Sequence, residues 1–359
     1  MKVPIWLLSV LVAVMAYLAL WPVPMSAQRW GPVDEVNSDQ LPGPEPLDSG
    51  LTTLPLPQSQ GPEDVAVSPD GQITTGLADG TLWQWSEGAG WAMLGHTGGR
   101  PLGLDYSSDG TLYIADAIKG LLRWQPDGTA QTLLAADELG PLGFVDDLAV
   151  DPRGKIYFTD ASRRFPAQRF GVTDGSIRDL LAHSQSGSLY RFDPVSGQLD
   201  TLMTGLSFAN GVTLSHDGNS VLVCETGRYR IWRHQISGSQ VGQSSIWIDG
   251  LPGFPDNISR ADKGGYWVGL VAPRDGLLDA LAPYPALRDV IQRLPAALRP
   301  AAKRHGQLLW LNENGAIERH FDDPKGTFAF ITGAEHAGDR VYLTSLHEPA
   351  LGVLPALRD

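Results

Sequence analysis

Short apolar runs recur along the chain, each reached through a Gly or Asp-Gly turn and each alternating apolar with polar positions. The copies read VSPDGQITTGLADGTLWQW, YSSDGTLYIADAIKGLLRW, VDPRGKIYFTDAS, LSHDGNSVLVCETGRYRIWRH, ADKGGYWVGLVAP and HAGDRVYLTSLHEPALGVL. An apolar run such as LYIAD, a turn, and a second run such as GLLRW form the inner and middle pair of a four-stranded blade. An isolated blade exposes both faces, so such units bury a core only by stacking in a ring. The pattern predicts an all-β fold, a six-bladed β-propeller over residues 55–359; a β-sandwich has no need of such long-range repetition.

Two intervals are stretched. RRFPAQRFGVTDGSIRDLLAHSQS follows the third copy, and a longer segment follows the fifth. In the latter, Leu277, Leu278, Leu281, Leu287, Val290, Ile291 and Leu294 recur at helical spacing between prolines. The spacing predicts a pair of short amphipathic helices at about 275–305, read either as a packed surface excursion or as a membrane-touching or substrate-covering lid. At the other end, Val3 to Val23 is apolar apart from Ser9 and Tyr17. That length suits a helix crossing the ~30 Å hydrocarbon core. The following PMSAQ is a poor cleavage site. Residues 1–24 therefore read as an N-terminal transmembrane helix, retained as a single-pass membrane anchor with the propeller on the exported side, periplasmic or lumenal. If 1–24 is instead a cleaved signal segment, the protein is secreted. The Pro-rich stretch 25–54 reads as a linker.

Composition narrows the function. Among 359 residues, 40 are acidic and 27 are Lys or Arg, giving a formal charge of -13. This argues against nucleic-acid binding, which needs basic patches. A single cysteine, Cys224, allows no intramolecular disulfide. There is no P-loop, dinucleotide fingerprint, CxxC or HExxH.

In a propeller the inner strands run along a central channel, and the residues just before them emerge at one mouth. Glu63 stands there in GPEDVAVSPDG, Asp146 and Asp147 in FVDDLAVDPRG, Asn210 in FANGVTLSHDG, and Asp256 and Asn257 in PDNISRADKGG. Taken singly, each could be an ordinary strand-start or turn residue, and Asp147 could face the adjoining blade. At matching places in four repeats, their oxygens suit a hard cation such as Ca²⁺. Three negative charges, from Glu63, Asp146 and Asp256, need a cation to offset their repulsion.

These stretches resemble the strictosidine synthase-like branch, which includes adipocyte plasma membrane-associated protein-like chains, of the larger group of gluconolactonases (regucalcin) and paraoxonases. GPEDVAVSPDG, RPLGLDYSSDGTLYIADAIKGLLRW, IYFTDAS, GLSFANGVTLSHDG, ETGRYRIWRH and LPGFPDNISRADKGGYWVGL carry the likeness. The resemblance implies one Ca²⁺ in the central channel, held by Glu63, Asp146, Asn210 and Asp256, with Asn257 as a further ligand. Asp146 replaces the asparagine usual at its place. The resemblance also implies a membrane-anchored, exported, calcium-dependent hydrolase of esters or lactones, in which Asp256 attacks the substrate or a base activates water. The histidine base of paraoxonases is not matched, since Leu102 stands near its place. A non-catalytic, Ca²⁺-stabilised scaffold is the alternative. Amine–aldehyde condensation is a weaker reading, because neither Glu335 nor Glu348 aligns with the required glutamate. His336 and His347 lie near the last strand, as mouth-lining or ordinary residues.

Overall fold

In the computed structural model, which describes residues 4–23, 25–31, 41–137, 140–261, 264–295, 298–299 and 301–357, the repeats form six sheets, each built outward from an inner strand. Those inner strands are Val65–Val67, Pro101–Tyr106, Val145–Val150, Ala209–Leu214, Gly253–Arg260 and Ile331–Ala337, defining blades one to six. The fold is a six-bladed β-propeller. Residues 1–3 and 24 of the predicted anchor, 32–40 of the predicted linker, 296, 297 and 300 of the predicted cover, and 138, 139, 262, 263, 358 and 359 lie outside the described residues.

The Asp-Gly turns work as hairpin corners because glycine accepts a left-handed backbone. Gly110 has φ 84°, and the Asp109 carboxylate accepts from Thr111 N at 3.0 Å to hold the turn. The strands after these turns, such as Leu112–Asp116, Ile156–Asp160 and Ser220–Glu225, are buried throughout, because neighbouring blades cover both faces. Tyr113, Leu148, Phe158 and Tyr190 fill the space between blades two and three, and Leu222, Ile231, Ile258 and Val268 that between four and five. Each such side chain contributes about 1.5–3 kcal/mol when fully buried.

Two strands come from within 25–54. Glu45–Pro46 adds a fifth strand to blade five, parallel to Ile317–Asp323. Thr52–Pro55 forms the outermost strand of blade six, antiparallel to Ala350–Pro355, so the start of the propeller is stitched to its end.

Five α-helices are described: α1 (Ile5–Leu20), α2 (Ala167–Phe170), α3 (Val172–Ala182), α4 (Gly276–Leu281) and α5 (Pro285–Arg293). The α1 helix corrects the sequence reading. Its 16 residues span about 24 Å at 1.5 Å per residue, short of the ~30 Å core. Pro4 caps it in extended conformation, and Trp21, ahead of Pro22, is again extended. The apolar run was counted across prolines that bound the helix. Among the described residues no helix is long and apolar enough to cross a membrane, so the predicted transmembrane helix and single-pass placement are not supported.

The other helices lie in loops joining the second and third strands of blades three and five, and such loops emerge at the mouth where the inner strands begin. Asp275 caps α4 by accepting from Leu277 N and Leu278 N at 2.9 and 3.0 Å. Leu181 and Ala182 of α3 share an apolar cluster with Ile291 of α5, Phe165 and Met25. The third-blade insertion, read without helices, thus joins the fifth-blade helices in one cover.

Candidate functional site

At the mouth, the inner strands of blades two to six each skip register against their partner. The shifts fall between Pro101 and Gly103, Val145 and Leu148, Ala209 and Val212, Pro255 and Ile258, and Ile331 and Ala334. Such bulges re-aim a side chain. The first residues within them are Leu102, Asp146, Asn210, Asp256 and Thr332, with Glu63 just ahead of the inner strand of blade one. The structure therefore sets four of the five predicted site residues at equivalent positions, and Asn257 follows Asp256.

All five are nearly sealed: Glu63 is 2% exposed, Asp146 3%, Asn210 4%, Asp256 4% and Asn257 5%. Carboxylates are almost never so deeply buried without a partner. Asp256 lies within hydrogen-bond reach of both Asn210 and Glu63. Asn257 Nδ2 donates to Glu63 O at 3.2 Å and to Glu63 Oε1 at 3.3 Å. Burial raises the Asp256 carboxyl to about 7. Glu63 and Asp146 are pushed well above the usual carboxylate range, by burial first and then by repulsion from Asp256.

Whether this set fits a cation can be judged from its unused oxygens. Glu63 Oε2, Asn210 Oδ1 and Asn257 Oδ1 are all buried without a hydrogen-bond partner. An unpaired buried acceptor costs about 1–3 kcal/mol, and a hard cation would pair all three. Among the described residues no group of three or more His, Cys, Asp or Glu is arranged to hold a metal ion by those side chains alone. The convergent set is mixed, three carboxylates and two carboxamides, and its amide oxygens are two of the three unpaired atoms.

The residues that follow these positions form a second tier: Asp64, Gly103, Asp147, Gly211, Asn257 and Gly333, a side chain and a glycine in alternation around the ring. Asp64 Oδ2 accepts from Leu104 N of blade two at 2.7 Å, and Asp147 Oδ2 from Val212 N of blade four at 2.7 Å. Asn257 reaches back to Glu63, closing the circuit to blade one. The glycines leave room for this. A Cβ on Gly103 would lie 2.3 Å from Asp147 Oδ1, and one on Gly211 2.5 Å from Asn257 Cα. Asp147, left between two readings by the sequence, is a clasp between blades.

Sequence reasoning missed an aromatic collar. Phe144, Phe208, Phe254 and Phe330 each stand two residues before the mouth position of their blade, in FVD, FAN, FPD and FIT. Phe144 and Phe208 meet edge to face at 5.5 Å. In blade two the same place holds Arg100, 8% exposed, with Nη1 buried and unpartnered beside the acids. The acids ending the second strands orient these approaches. Asp116 accepts from Arg100 N at 3.0 Å, Asp160 from Phe144 N at 2.5 Å and Glu225 from Ser207 N at 2.8 Å.

Other candidates fall outside the convergent set. Glu348 pairs with Arg304 at 2.5 Å and accepts from Ala329 N. Glu335 sits among Asp64, Asp105, Arg260 and Ser259. His347 packs edge to face with Phe330 at 5.0 Å, and burial lowers its imidazole pKa. His336 lies on the inner strand of blade six.

Comparisons with known proteins bear on the fold and the family. The strictosidine synthase family model matches residues 146–239, and the strictosidine synthase-like N-terminal model matches 49–85. An adipocyte plasma membrane-associated protein from Salmo salar is 35% identical over 320 residues, covering 82% of this chain and 75% of that protein. The strictosidine synthase-like 10 protein of Arabidopsis thaliana is 34% identical over 328 residues, covering 83% and 86%. Among solved structures, a gluconolactonase from Xanthomonas campestris superposes with TM-score 0.63 at 18% identity, covering 93% of this chain and 97% of that one. A calcium-binding regucalcin from Agrobacterium tumefaciens gives TM-score 0.58 at 15% identity, covering 85% and 95%. At those identities the structural likeness speaks for the fold alone, whereas the sequence relatives carry the family. The chain belongs to the strictosidine synthase-like family of six-bladed propellers.

Proposed function

We propose that the protein is a calcium-dependent hydrolase of esters or lactones, acting at the covered channel mouth. One observation carries the reading: three buried oxygens without partners, on Glu63, Asn210 and Asn257, converge beside the carboxyls of Asp146 and Asp256. These five residues would hold Ca²⁺, which when bound supplies Lewis-acid polarisation of a carbonyl oxygen. Asp256 is the residue assigned to the chemistry, as the carboxylate that attacks the carbonyl carbon or takes a proton from water. Asn210 holds Asp256 in place. The Phe144, Phe208 and Phe254 rings and the cover keep water from the mouth, which strengthens every charge interaction inside. The gluconolactonase and the calcium-binding regucalcin that share the fold lend support by analogy.

A scaffold reading, in which the cation only fastens the blades, draws on the clasps made by Asp64, Asp147 and Asn257. Amine–aldehyde condensation loses ground because Glu348 is engaged by Arg304. The test is a panel of aryl esters and lactones with the purified full chain, its metal content measured by mass spectrometry before and after chelation. Turnover should disappear with the metal and return with added Ca²⁺. Undiminished turnover in metal-free protein would refute the proposal.

A further inference from the structure

The collar at the mouth is apolar in blades three to six, where Phe144, Phe208, Phe254 and Phe330 hold equivalent places, and cationic in blade two, where Arg100 stands. In blade one the place falls to Gly61, which has no side chain, and a Cβ there would lie 3.3 Å from Arg100 Nη2. The guanidinium borders that gap.

A buried guanidinium normally has a partner. Arg100 is 8% exposed, and its Nη1 is buried without one. Four other arginines also have an unpaired buried nitrogen, yet each still has a protein partner. Arg123 donates to Gln131 at 2.6 Å, Arg233 to Glu313 O at 3.1 Å and Arg288 to Leu181 O at 2.8 Å, while Arg228 stands 3.7 Å from Glu225. The Arg100 guanidinium makes no hydrogen bond or ion pair among the described residues.

Its acidic neighbours are Glu63, Asp116, Asp79 and Asp146. Asp116 is engaged elsewhere: Oδ1 accepts from Arg100 N at 3.0 Å, Ile118 N at 3.0 Å and Lys119 N at 2.9 Å, and Oδ2 from Thr97 Oγ1 at 2.7 Å. Asp79 accepts from Thr81 N and Thr81 Oγ1. The backbone of Arg100 is thus fixed while its side-chain donors stay free. Glu63 and Asp146 belong to the proposed cation site, whose three carboxylates outweigh the two charges of Ca²⁺ by one. Arg100 cancels that excess, so an incoming anion meets a neutral mouth rather than a repelling one.

We propose that Arg100 binds an oxyanion, a carboxylate or a phosphate, carried by the substrate, so that the preferred esters or lactones join an apolar body to one anionic group. The inference rests on the reading of the mouth as a substrate site and adds the charge of what enters it. The phenylalanine rings receive the apolar part, and the planar guanidinium matches the paired oxygens of the anion.

The test uses the full-length chain with Ca²⁺ and calorimetric titrations of hexanoate and hexyl phosphate, with 1-hexanol as the neutral control. Arg100→Gln should weaken one or both anions about tenfold or more, the scale of a charged hydrogen bond, and leave 1-hexanol within about twofold. Which anion responds identifies the group. Arg100→Lys, which keeps the charge without the fork, should fall between. Calcium affinity should hold or rise in Arg100→Gln, because a positive neighbour has gone. No anion binding by the parent, equal losses for all three probes, or anion binding that survives Arg100→Gln and vanishes only on chelation would overturn the proposal. So would a fall in calcium affinity, which makes Arg100 part of the cage, or loss of cooperative unfolding in both variants, which makes it structural. Because binding is read without turnover, an inactive protein that passes refutes the hydrolase and leaves the anion site standing. An active protein that fails does the reverse.

Discussion

Replacing Gly211 by alanine should damage both the ring and the proposed cation site. The added Cβ would lie 2.5 Å from Asn257 Cα, 2.6 Å from Asp256 O and 2.8 Å from Ile258 N, all backbone atoms of the next blade. Carbon atoms in contact rest about 3.5–4.0 Å apart, so the inner strands of blades four and five must part by about 1 Å. Overpacking of this kind costs about 1–3 kcal/mol. Disturbing the neighbouring bond from Val212 N to Asp147, 2.7 Å long, adds about 1–3 kcal/mol if the carboxyl is left unpaired. Together the loss is about 2–6 kcal/mol, measured by urea unfolding with and without Ca²⁺. Since Asp256 and Asn257 move with that strand, calcium affinity should fall about tenfold or more, equivalent to about 1.4 kcal/mol. Gly276→Ala is the control: nothing lies within 4 Å of its Cβ, it opens α4, and alanine there should be neutral or slightly stabilising. A Gly211→Ala protein within about 0.5 kcal/mol of the parent, binding calcium equally well, would show that the blades do not meet in hard contact here.

Asp256→Asn should abolish ester and lactone turnover while calcium binding, read by calorimetry, persists at reduced affinity; unchanged turnover would support the scaffold reading. Asp147→Ala leaves Val212 N without its acceptor and should cost about 1–3 kcal/mol in urea, with no comparable cost for Asp109→Ala in an exposed turn. The metal-free protein should lose stability as pH rises from about 4 to about 7. Over that window the Asp256 carboxyl, raised to about 7, keeps its proton in the folded state after the unfolded chain has released it, so folded molecules bind more protons and stability falls. Calcium should therefore raise the melting temperature more at pH 8 than at pH 5. A pH-independent calcium shift would contradict that linkage.

The blades are legible because each repeats the same turn and apolar strand, and Glu63, Asp146, Asn210 and Asp256 because each stands at the mouth end of an inner strand, Glu63 just ahead of it and the others at a bulge within it. The tier beneath was written just as openly, in the dipeptides ED, LG, DD, NG, DN and TG. It escaped notice because a clasp and its glycine sit on different blades, and only the ring sets Asp147 over Val212 or Asn257 beside Gly333. The aromatic collar is hidden for a similar reason, since Phe two residues ahead of a polar residue means nothing until the ring of blades brings these places together. The apolar start is longer than its helix because Pro4 and Pro22 bound it. The α3 helix had little to announce it, as it carries Thr, Asp, Gly and Ser in its first turns and gains its apolar face only against α5.

The stitch between Thr52–Pro55 and Ala350–Pro355 has a consequence for biosynthesis. Blades two to four can form from neighbouring segments as the chain emerges from the ribosome, but blade six is unfinished until Ala350–Pro355 has been made. Thr332 donates to Glu63 O at 2.6 Å, and Asn257 reaches the same residue, so the circuit of oxygens gathers partners separated by 269 and 194 positions. Contacts of such long range form late. A nascent chain would therefore have no complete cage to offer a cation. Loading of the proposed cation would wait for the inner strands of blades five and six, and a truncation that removed only Ala350–Pro355 would undo the stitch rather than the cage.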